Sequence, residues 1–255
     1  MNIIHMNTLS NFYIYQGDLI LVNRKWPVST DNGILRKNLV PSINDSIVLL
    51  EKRCALMFQR LLSACGGAAE IIPVSGYRSK VEQQQIYSES MRENGAAFTS
   101  KFVAPPNESE HQTGLAIDVA KNKESVDFIC PDFPDEGACK TFRKLAPDFG
   151  FIERYQKGKE QITGIAHEPW HFRYVGYPHS VVMRDYNFCL EEYHDFLKNF
   201  LFNGKHFIIP NGKHQFEIYY YPILEASDKS IEISLHKPCQ LSGNNADGLI
   251  VTVWY

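Results

Sequence analysis

The chain has 255 residues, 44% hydrophobic and 22% charged, with a formal charge of −3. This is ordinary globular composition, long enough for one large domain or a domain with a small appendage. No basic surplus argues for nucleic acid or an anionic membrane surface, and no window approaches the ~18 consecutive apolar residues of a membrane-spanning helix.

The N-terminal residues Met1 to Asn11 lack a basic region, an uninterrupted apolar core and a small-residue cleavage site, so an export signal is not expected. The six cysteines, Cys54, Cys65, Cys130, Cys139, Cys189 and Cys239, are scattered without a C-x-x-C pair. They read as reduced thiols that act as small buried hydrophobes. Residues 12 to 28 read as extended, with Leu19-Ile20-Leu21-Val22-Asn23 as a short strand. Ser42 to Cys65 reads as a helix: Ile43, Ile47, Leu50, Cys54, Phe58, Leu61 and Cys65 recur at helical spacing and Gly66-Gly67 supplies a stop. Ile71 to Val74 is a strand that Pro73 confines to an edge or irregular position. Ser79-Lys80-Val81-Glu82 has the form of a capping box, opening a helix to about Glu93 with Gly95 beyond it. Residues 96 to 110 read as an ordered loop.

Leu115 to Val119 is the next strand, Asp127 to Gly137 a loop, and Ala138 to Phe149 a helix. Phe151 to Glu153 and Trp170 to Val175 are further strands, and Leu190 to Phe202 an amphipathic helix stopped by Gly204. Beyond it the runs His206 to Pro210, Gln215 to Pro222, Ser230 to Leu235 and Leu249 to Tyr255 are β-branched and aromatic, separated by turn residues. These features divide the chain into residues 1–203, the main domain, and 204–255, a β-rich extension expected to pack on it.

The chemistry concentrates in two segments. Ser109-Glu110-His111-Gln112-Thr113-Gly114-Leu115-Ala116-Ile117-Asp118 carries an imidazole and a carboxylate around a glycine, and Glu168-Pro169-Trp170-His171 adds a second of each. Two His and one Asp are the usual complement of a zinc site that keeps a position open for water. The remaining carboxylate, Glu168, is then free to act as a base. Alternation along Leu115 to Val119 sets Leu115, Ile117 and Val119 on one face and Asp118 on the other. A lone buried Asp there calls for a cation. Gly114 permits the tight turn that lets His111 and Asp118 reach one point. In the second segment, alternation turns His171 with Arg173 and Val175, and would set Glu168 on the opposite face unless Pro169 marks an irregularity. Arg78, always protonated, suits the oxyanion of a hydrolytic transition state. His5, His167, His194, His206, His214 and His236 read as structural, His179 as either a supporting or a plain loop residue, and Glu110 and Glu124 as solvated. Ser109 and Cys130 have no local base, so covalent catalysis is not expected.

Ser75-Gly76-Tyr77-Arg78-Ser79, Ser109-x-His111-x-x-Gly114-x-Ala116-x-Asp118 and Glu168-Pro169-Trp170-His171 resemble the three signatures of the D-Ala-D-Ala zinc metallopeptidases. Leu21-Val22-Asn23-Arg24 resembles their short N-terminal motif. Within that family the chain is most similar to the VanXY branch of glycopeptide-resistance enzymes, over roughly residues 19 to 200. The resemblance implies a hedgehog-like α+β fold with a small antiparallel sheet, flanking helices and one Zn2+ held by His111, Asp118 and His171. It implies Glu168 as general base, Arg78 as oxyanion partner, and Gln83, Ser109 and Trp170 near substrate, with Ser75 bordering the leaving-group pocket. The implied activity is cytoplasmic: hydrolysis of D-Ala-D-Ala and removal of the terminal D-Ala from pentapeptide cell-wall precursors, giving vancomycin resistance. Two other readings use the same residues. One is a peptidoglycan endopeptidase with the β-rich tail as a wall-binding module, although this tail is neither basic nor repeated. The other is a catalytically silent zinc-binding recognition module, which needs neither Glu168 nor Arg78.

Overall fold

A computed structural model describes residues 4–5, 11–29, 38–44, 46–223, 232–233 and 237–255. In chain order its elements are β1 (Ile4–His5), β2 (Leu39–Pro41), β3 (Leu49–Glu51), α1 (Lys52–Ala64), β4 (Ile71–Ser75), α2 (Lys80–Glu93), α3 (Gly95–Phe102), β5 (Ala116–Lys121), α4 (Gly137–Leu145), β6 (Phe151–Tyr155), the single turn α5 (Glu160–Thr163), β7 (Glu168–Tyr174), α6 (His179–Tyr186), α7 (Leu190–Leu197), β8 (Phe207–Asn211), β9 (His214–Pro222), β10 (Glu232–Ile233), β11 (Cys239–Gly243) and β12 (Gly248–Trp254). The fold class is α+β, with small antiparallel sheets, helices and a β-rich C-terminal part, as expected. The elements group into two compact units: Val22–Cys189, and Met1–Leu21 together with Leu190–Tyr255. Among the described residues no helix is long and apolar enough to cross a membrane.

The unit Val22–Cys189 is built on an antiparallel sheet of order β4-β5-β7-β6. β4 lies at the edge, where Pro73 pairs with Val119 on one side and faces no strand on the other, and the β4–β5 register shifts between Pro73 and Ser75. Beside this sheet the core is aromatic. Phe172 of β7 meets Phe142 of α4 at 4.9 Å between ring centroids and Phe133 at 5.7 Å, and Phe58 of α1 meets Phe142 at 6.1 Å and Phe151 of β6 at 6.5 Å. These contacts are all edge-on, an arrangement the ring quadrupole favours, and burying each such side chain contributes about 1.5–3 kcal/mol. α2 opens with the expected capping box: Ser79 Oγ accepts from Glu82 N at 3.2 Å, and Glu82 Oε2 accepts from Ser79 N at 2.6 Å.

The unit formed from the two chain ends holds the sheet β11-β12-β9-β8 and a core of Tyr219, Leu249, Val251 and Val253. Position 203 lies inside this unit, because the segment after α7 joins its sheet: Tyr220 N donates to Phe200 O at 2.7 Å and Phe202 N to Tyr220 O at 2.9 Å. The N-terminal segment joins as well, Gly243 N donating to Gln16 O at 2.7 Å and Leu21 N to Asn244 O at 3.3 Å.

Several local expectations change. The helix expected over Ser42 to Cys65 starts only at Lys52, because Leu49–Glu51 pairs with Leu39–Pro41. Glu51 then caps α1, its Oε2 accepting from Arg53 N at 2.7 Å and Cys54 N at 3.1 Å, while Ile47 is 95% exposed. Leu19 to Val22 are buried but form no strand; Leu19 N donates to Ser242 Oγ and Asn245 Nδ2 to Leu21 O, so side chains supply part of what a ladder would. α3 occupies part of the expected loop 96–110, α6 and β11 were not anticipated, and α7 ends at Leu197. Of the run Ser230 to Leu235, Glu232–Ile233 pairs with β1 and the remainder lies outside the described residues, as do His236 and most of Met1 to Asn11.

Candidate metal and catalytic site

Asp118 on β5 and His171 on β7 are direct cross-strand partners, and Asp118 also stands opposite Ser75 on β4. His111 lies on a 3-10 turn, Glu110–Thr113, closed by Gly114 at φ +73°. This left-handed conformation calls for glycine, and a Cβ there would also be tight, 2.9 Å from Leu39 Cδ2 and 3.1 Å from Glu51 N. Gly76 is constrained by space alone: a Cβ there would stand 2.3 Å from Leu49 O. Its own carbonyl accepts from His111 Nδ1 at 2.7 Å.

Glu168 reaches the same point through an irregularity in β7. Glu153 pairs with Phe172, but Tyr155 pairs with Glu168, so β7 carries extra residues across Pro169 to His171. Pro169 has no N–H to give to a ladder, which suits it to this place. The result sets Glu168 Oε2 3.7 Å from His171 Nδ1. Strict alternation fails here, and the irregularity expected at Pro169 is present.

The ligand atoms of His111, Asp118 and His171 all lie within 4.8 Å of one another, and all three residues are buried. His111 Nε2 is 3.1 Å from Asp118 Oδ2 and His171 Nδ1 is 2.9 Å from Asp118 Oδ1. Yet His111 Nε2 and Asp118 Oδ1 have no aligned hydrogen bond. A carbonyl oxygen can only accept, so His111 carries its proton on Nδ1 when neutral and turns a lone pair toward the Asp118 carboxylate. Buried lone pairs converging on one point are the arrangement a cation satisfies. Burial, then the nearby Arg78 charge, lowers the His111 pKa to about 4, so this ring is neutral at pH 7. Burial alone would also lower His171, but Asp118, Glu110 and Glu168 outweigh it and raise its pKa to about 9. Asp118 is held well below the usual carboxylate range because the two imidazoles outweigh its own burial. Burial pushes Glu168 up to about 8, a value that a cation at the triad opposes by favouring the carboxylate.

These groups share a cleft of about 500 Å³, its open mouth included, which Arg78, Gln83, Ser109 and Trp170 also line. Arg78 Nη2 is 3.8 Å from Asp118 Oδ2. Burial lowers its pKa, but an arginine keeps its charge. Gln83 donates to Ala104 O at 2.7 Å, and its Oε1 is buried without a hydrogen-bond partner. Ser75 is buried opposite Asp118 but does not line the cleft.

Glu110, expected in solvent, is 1% exposed. Its Oε1 is 2.8 Å from Arg154 Nε and 2.9 Å from Arg173 Nη1, and its Oε2 is 3.7 Å from His171 Nε2. The arginines outweigh its burial and hold the carboxyl far below its ordinary range. An acid beside His111 in a run otherwise small or apolar was the available signal. Glu124 is exposed, as expected. Tyr155, not singled out in the sequence, lines the cleft with its ring 4.9 Å from that of His171. The histidines expected to be structural keep away from the triad: His167 meets Glu153, His194 the carbonyl of Leu19, His206 both Glu217 and the carbonyl of Phe202, and His214 the carbonyl of Tyr255. His179 is buried and does not line the cleft.

Residues 48–177 match the VanY family, described as D-alanyl-D-alanine carboxypeptidase. The chain is 45% identical over 180 residues to VanXYC of Enterococcus gallinarum, a bifunctional D-Ala-D-Ala dipeptidase and D-Ala-D-Ala carboxypeptidase; the match covers 70% of this chain and 94% of that protein. Among solved structures, the vancomycin-resistance D,D-dipeptidase VanXYg, in complex with a D-Ala-D-Ala phosphinate analogue, superposes with a TM-score of 0.91 at 47% identity over 97% of each chain. That coverage takes in the β-rich C-terminal part. A D,D-pentapeptidase VanY from a VanB-type resistance cassette, in complex with Zn(II), matches 69% of this chain and 98% of its own at 30% identity and a TM-score of 0.57.

Proposed function

The chain belongs to the VanY family of D-alanyl-D-alanine carboxypeptidases, and we propose that it is a zinc D,D-dipeptidase and D,D-carboxypeptidase. It hydrolyses D-Ala-D-Ala and removes the terminal D-Ala of pentapeptide peptidoglycan precursors, the chemistry of vancomycin resistance. The observation that carries this reading is the cluster of His111, Asp118 and His171 with a fourth group, Glu168, beside it and outside the ligand set.

The donor set fits zinc. Two imidazoles and one carboxylate offer a hard-to-borderline set with room for a fourth ligand, and His111 Nε2 and Asp118 Oδ1 are buried atoms without an aligned hydrogen bond. His111, Asp118 and His171 would hold the ion. Bound zinc supplies Lewis-acid polarisation of the scissile carbonyl and brings the pKa of water toward ~7. Glu168 takes the proton of the attacking water on its carboxylate and passes it to the leaving amine nitrogen as the C–N bond breaks. Arg78 places guanidinium donors at the charge that develops on the carbonyl oxygen. Gln83 offers its Oε1 as an acceptor to a substrate N–H, and Ser109 and Trp170 shape the cleft around the substrate. A module that only bound zinc would need neither Glu168 nor Arg78. All six cysteines are free, which suits a reducing compartment, and we place the reaction in the cytoplasm.

The test is amino-acid release from D-Ala-D-Ala, D-Ala-D-Ser and the two corresponding pentapeptides, side by side, with zinc controlled. Release of D-Ala from dipeptide and pentapeptide, lost on chelation and restored by zinc, is expected. Undiminished release by metal-stripped protein overturns the reading, and cleavage of intact sacculi in preference to soluble precursor favours the endopeptidase instead.

A further inference from the structure

We propose that Glu110 is a positioning residue for the metal site: its carboxylate, fixed by two buried arginines, holds His171 in the tautomer that turns Nδ1 toward the ion. This rests on the zinc reading above. Arg154 on β6 and Arg173 on β7 both direct their guanidinium groups at Oε1 of Glu110, at 2.8 and 2.9 Å, and all three side chains are inaccessible to solvent. Oε2 is left over. It is buried without a hydrogen-bond partner, and so is His171 Nε2, which faces it at 3.7 Å.

The other ring nitrogen, Nδ1, looks the opposite way, 2.9 Å from Asp118 Oδ1 and 3.7 Å from Glu168 Oε2. A neutral imidazole carries one proton. Placed on Nε2, that proton meets a carboxylate and leaves the Nδ1 lone pair facing the ligand cluster. Placed on Nδ1, it removes the donor from the cluster and sets a bare Nε2 against an anionic oxygen in a dry interior. With an ion at the cluster, the first arrangement turns the proton toward a negative charge and the lone pair toward the cation, and the second does neither. Ligating histidines are commonly held in this way by a carboxylate on the far nitrogen, which fixes the ring and raises its basicity.

Two measurements test the proposal. The first is the zinc dissociation constant of the purified chain, by competition with a chromogenic chelator, for wild type and Glu110→Gln. The amide keeps the shape but loses the charge, and zinc binding 10–100-fold weaker than wild type is expected. Affinity within twofold of wild type in a folded variant overturns the proposal. The second needs no variant: in the zinc-loaded wild type, NMR of 15N-labelled histidine is expected to find His171 protonated at Nε2 and His111 at Nδ1. A proton on His171 Nδ1 overturns the proposal even if Glu110→Gln fails to fold. Wild-type protein that binds no zinc overturns the zinc reading itself, and the Glu110 role with it.

Discussion

Asp118 and His171 face each other across adjacent antiparallel strands, with Oδ1 and Nδ1 2.9 Å apart. The ladder that pairs β5 with β7 therefore brings two of the proposed metal donors together as a by-product of forming the sheet. The third donor, His111, is brought in by the turn just before β5.

Zinc that binds the native state and not the unfolded chain stabilises by mass action, about 2.7 kcal/mol at a free concentration 100 times Kd. Adding a chelator should lower Tm, and re-adding zinc should restore it. In Asp118→Ala the same titration should leave Tm unmoved. A chelator-sensitive Tm in that variant contradicts the ligand assignment.

Glu168→Gln should retain stoichiometric zinc and lose roughly 10²–10⁴-fold in kcat, the usual contribution of a positioned general base. Metal analysis and steady-state kinetics on D-Ala-D-Ala check both halves. Loss of zinc together with activity would make Glu168 a ligand instead.

The pH profile follows from the same residue. As a base Glu168 must be ionised, burial raises its pKa to about 8, and bound zinc pulls it back toward the ordinary 4.5. The acid limb of kcat/KM should therefore fall between those two values, activity rising with pH through it. A profile flat down to pH 4.5 would rule out a buried carboxylate base.

Gly76→Ala sets a Cβ 2.3 Å from Leu49 O, so one backbone segment must move. Overpacking of this kind costs about 1–3 kcal/mol. The displaced segment includes the carbonyl that fixes His111, so weaker zinc binding should accompany the lower Tm. Wild-type values for both would show that the turn is looser than its contacts indicate.

Asp247 accepts from Lys198 at 2.8 Å, Tyr220 at 2.6 Å and Asn244 at 2.7 Å. Burial opposes its charge, but these donors outweigh it and the folded-state pKa is lowered. Its contribution to stability is then complete above the ordinary Asp value and is lost as pH falls through the lowered one. Asp247→Asn should lower stability at pH 7 and narrow its gap from wild type in acid, as denaturant titration at both pH values would reveal. A gap that widens in acid reverses the sign and refutes the assignment.

Residues that act through local patterns were readable in the sequence. Alternation placed Asp118 and His171 because side-chain direction along a strand has a fixed period, and the Ser79–Glu82 box is encoded within four residues. Glu110 was misread because its partners, Arg154 and Arg173, lie far along the chain on other strands, and no local pattern announces a buried ion pair of that span. The start of α1 was misplaced for a related reason. Ile43, Ile47 and Leu50 keep helical spacing, but pairing of Leu49–Glu51 with Leu39–Pro41 overrides it. Glu168 required the β6–β7 register shift, which depends on how two distant segments align rather than on either one.

The two imidazoles are anchored by different kinds of group. His111 hangs on a main-chain carbonyl that every amino acid at position 76 possesses, so a change of side chain can displace this anchor but cannot delete it. His171 looks toward the side chain of Glu110, which a single codon change removes. The proposed metal centre is thus unevenly exposed to mutation: a side-chain change at position 110 removes one anchor outright, whereas a change at position 76 can only displace the other.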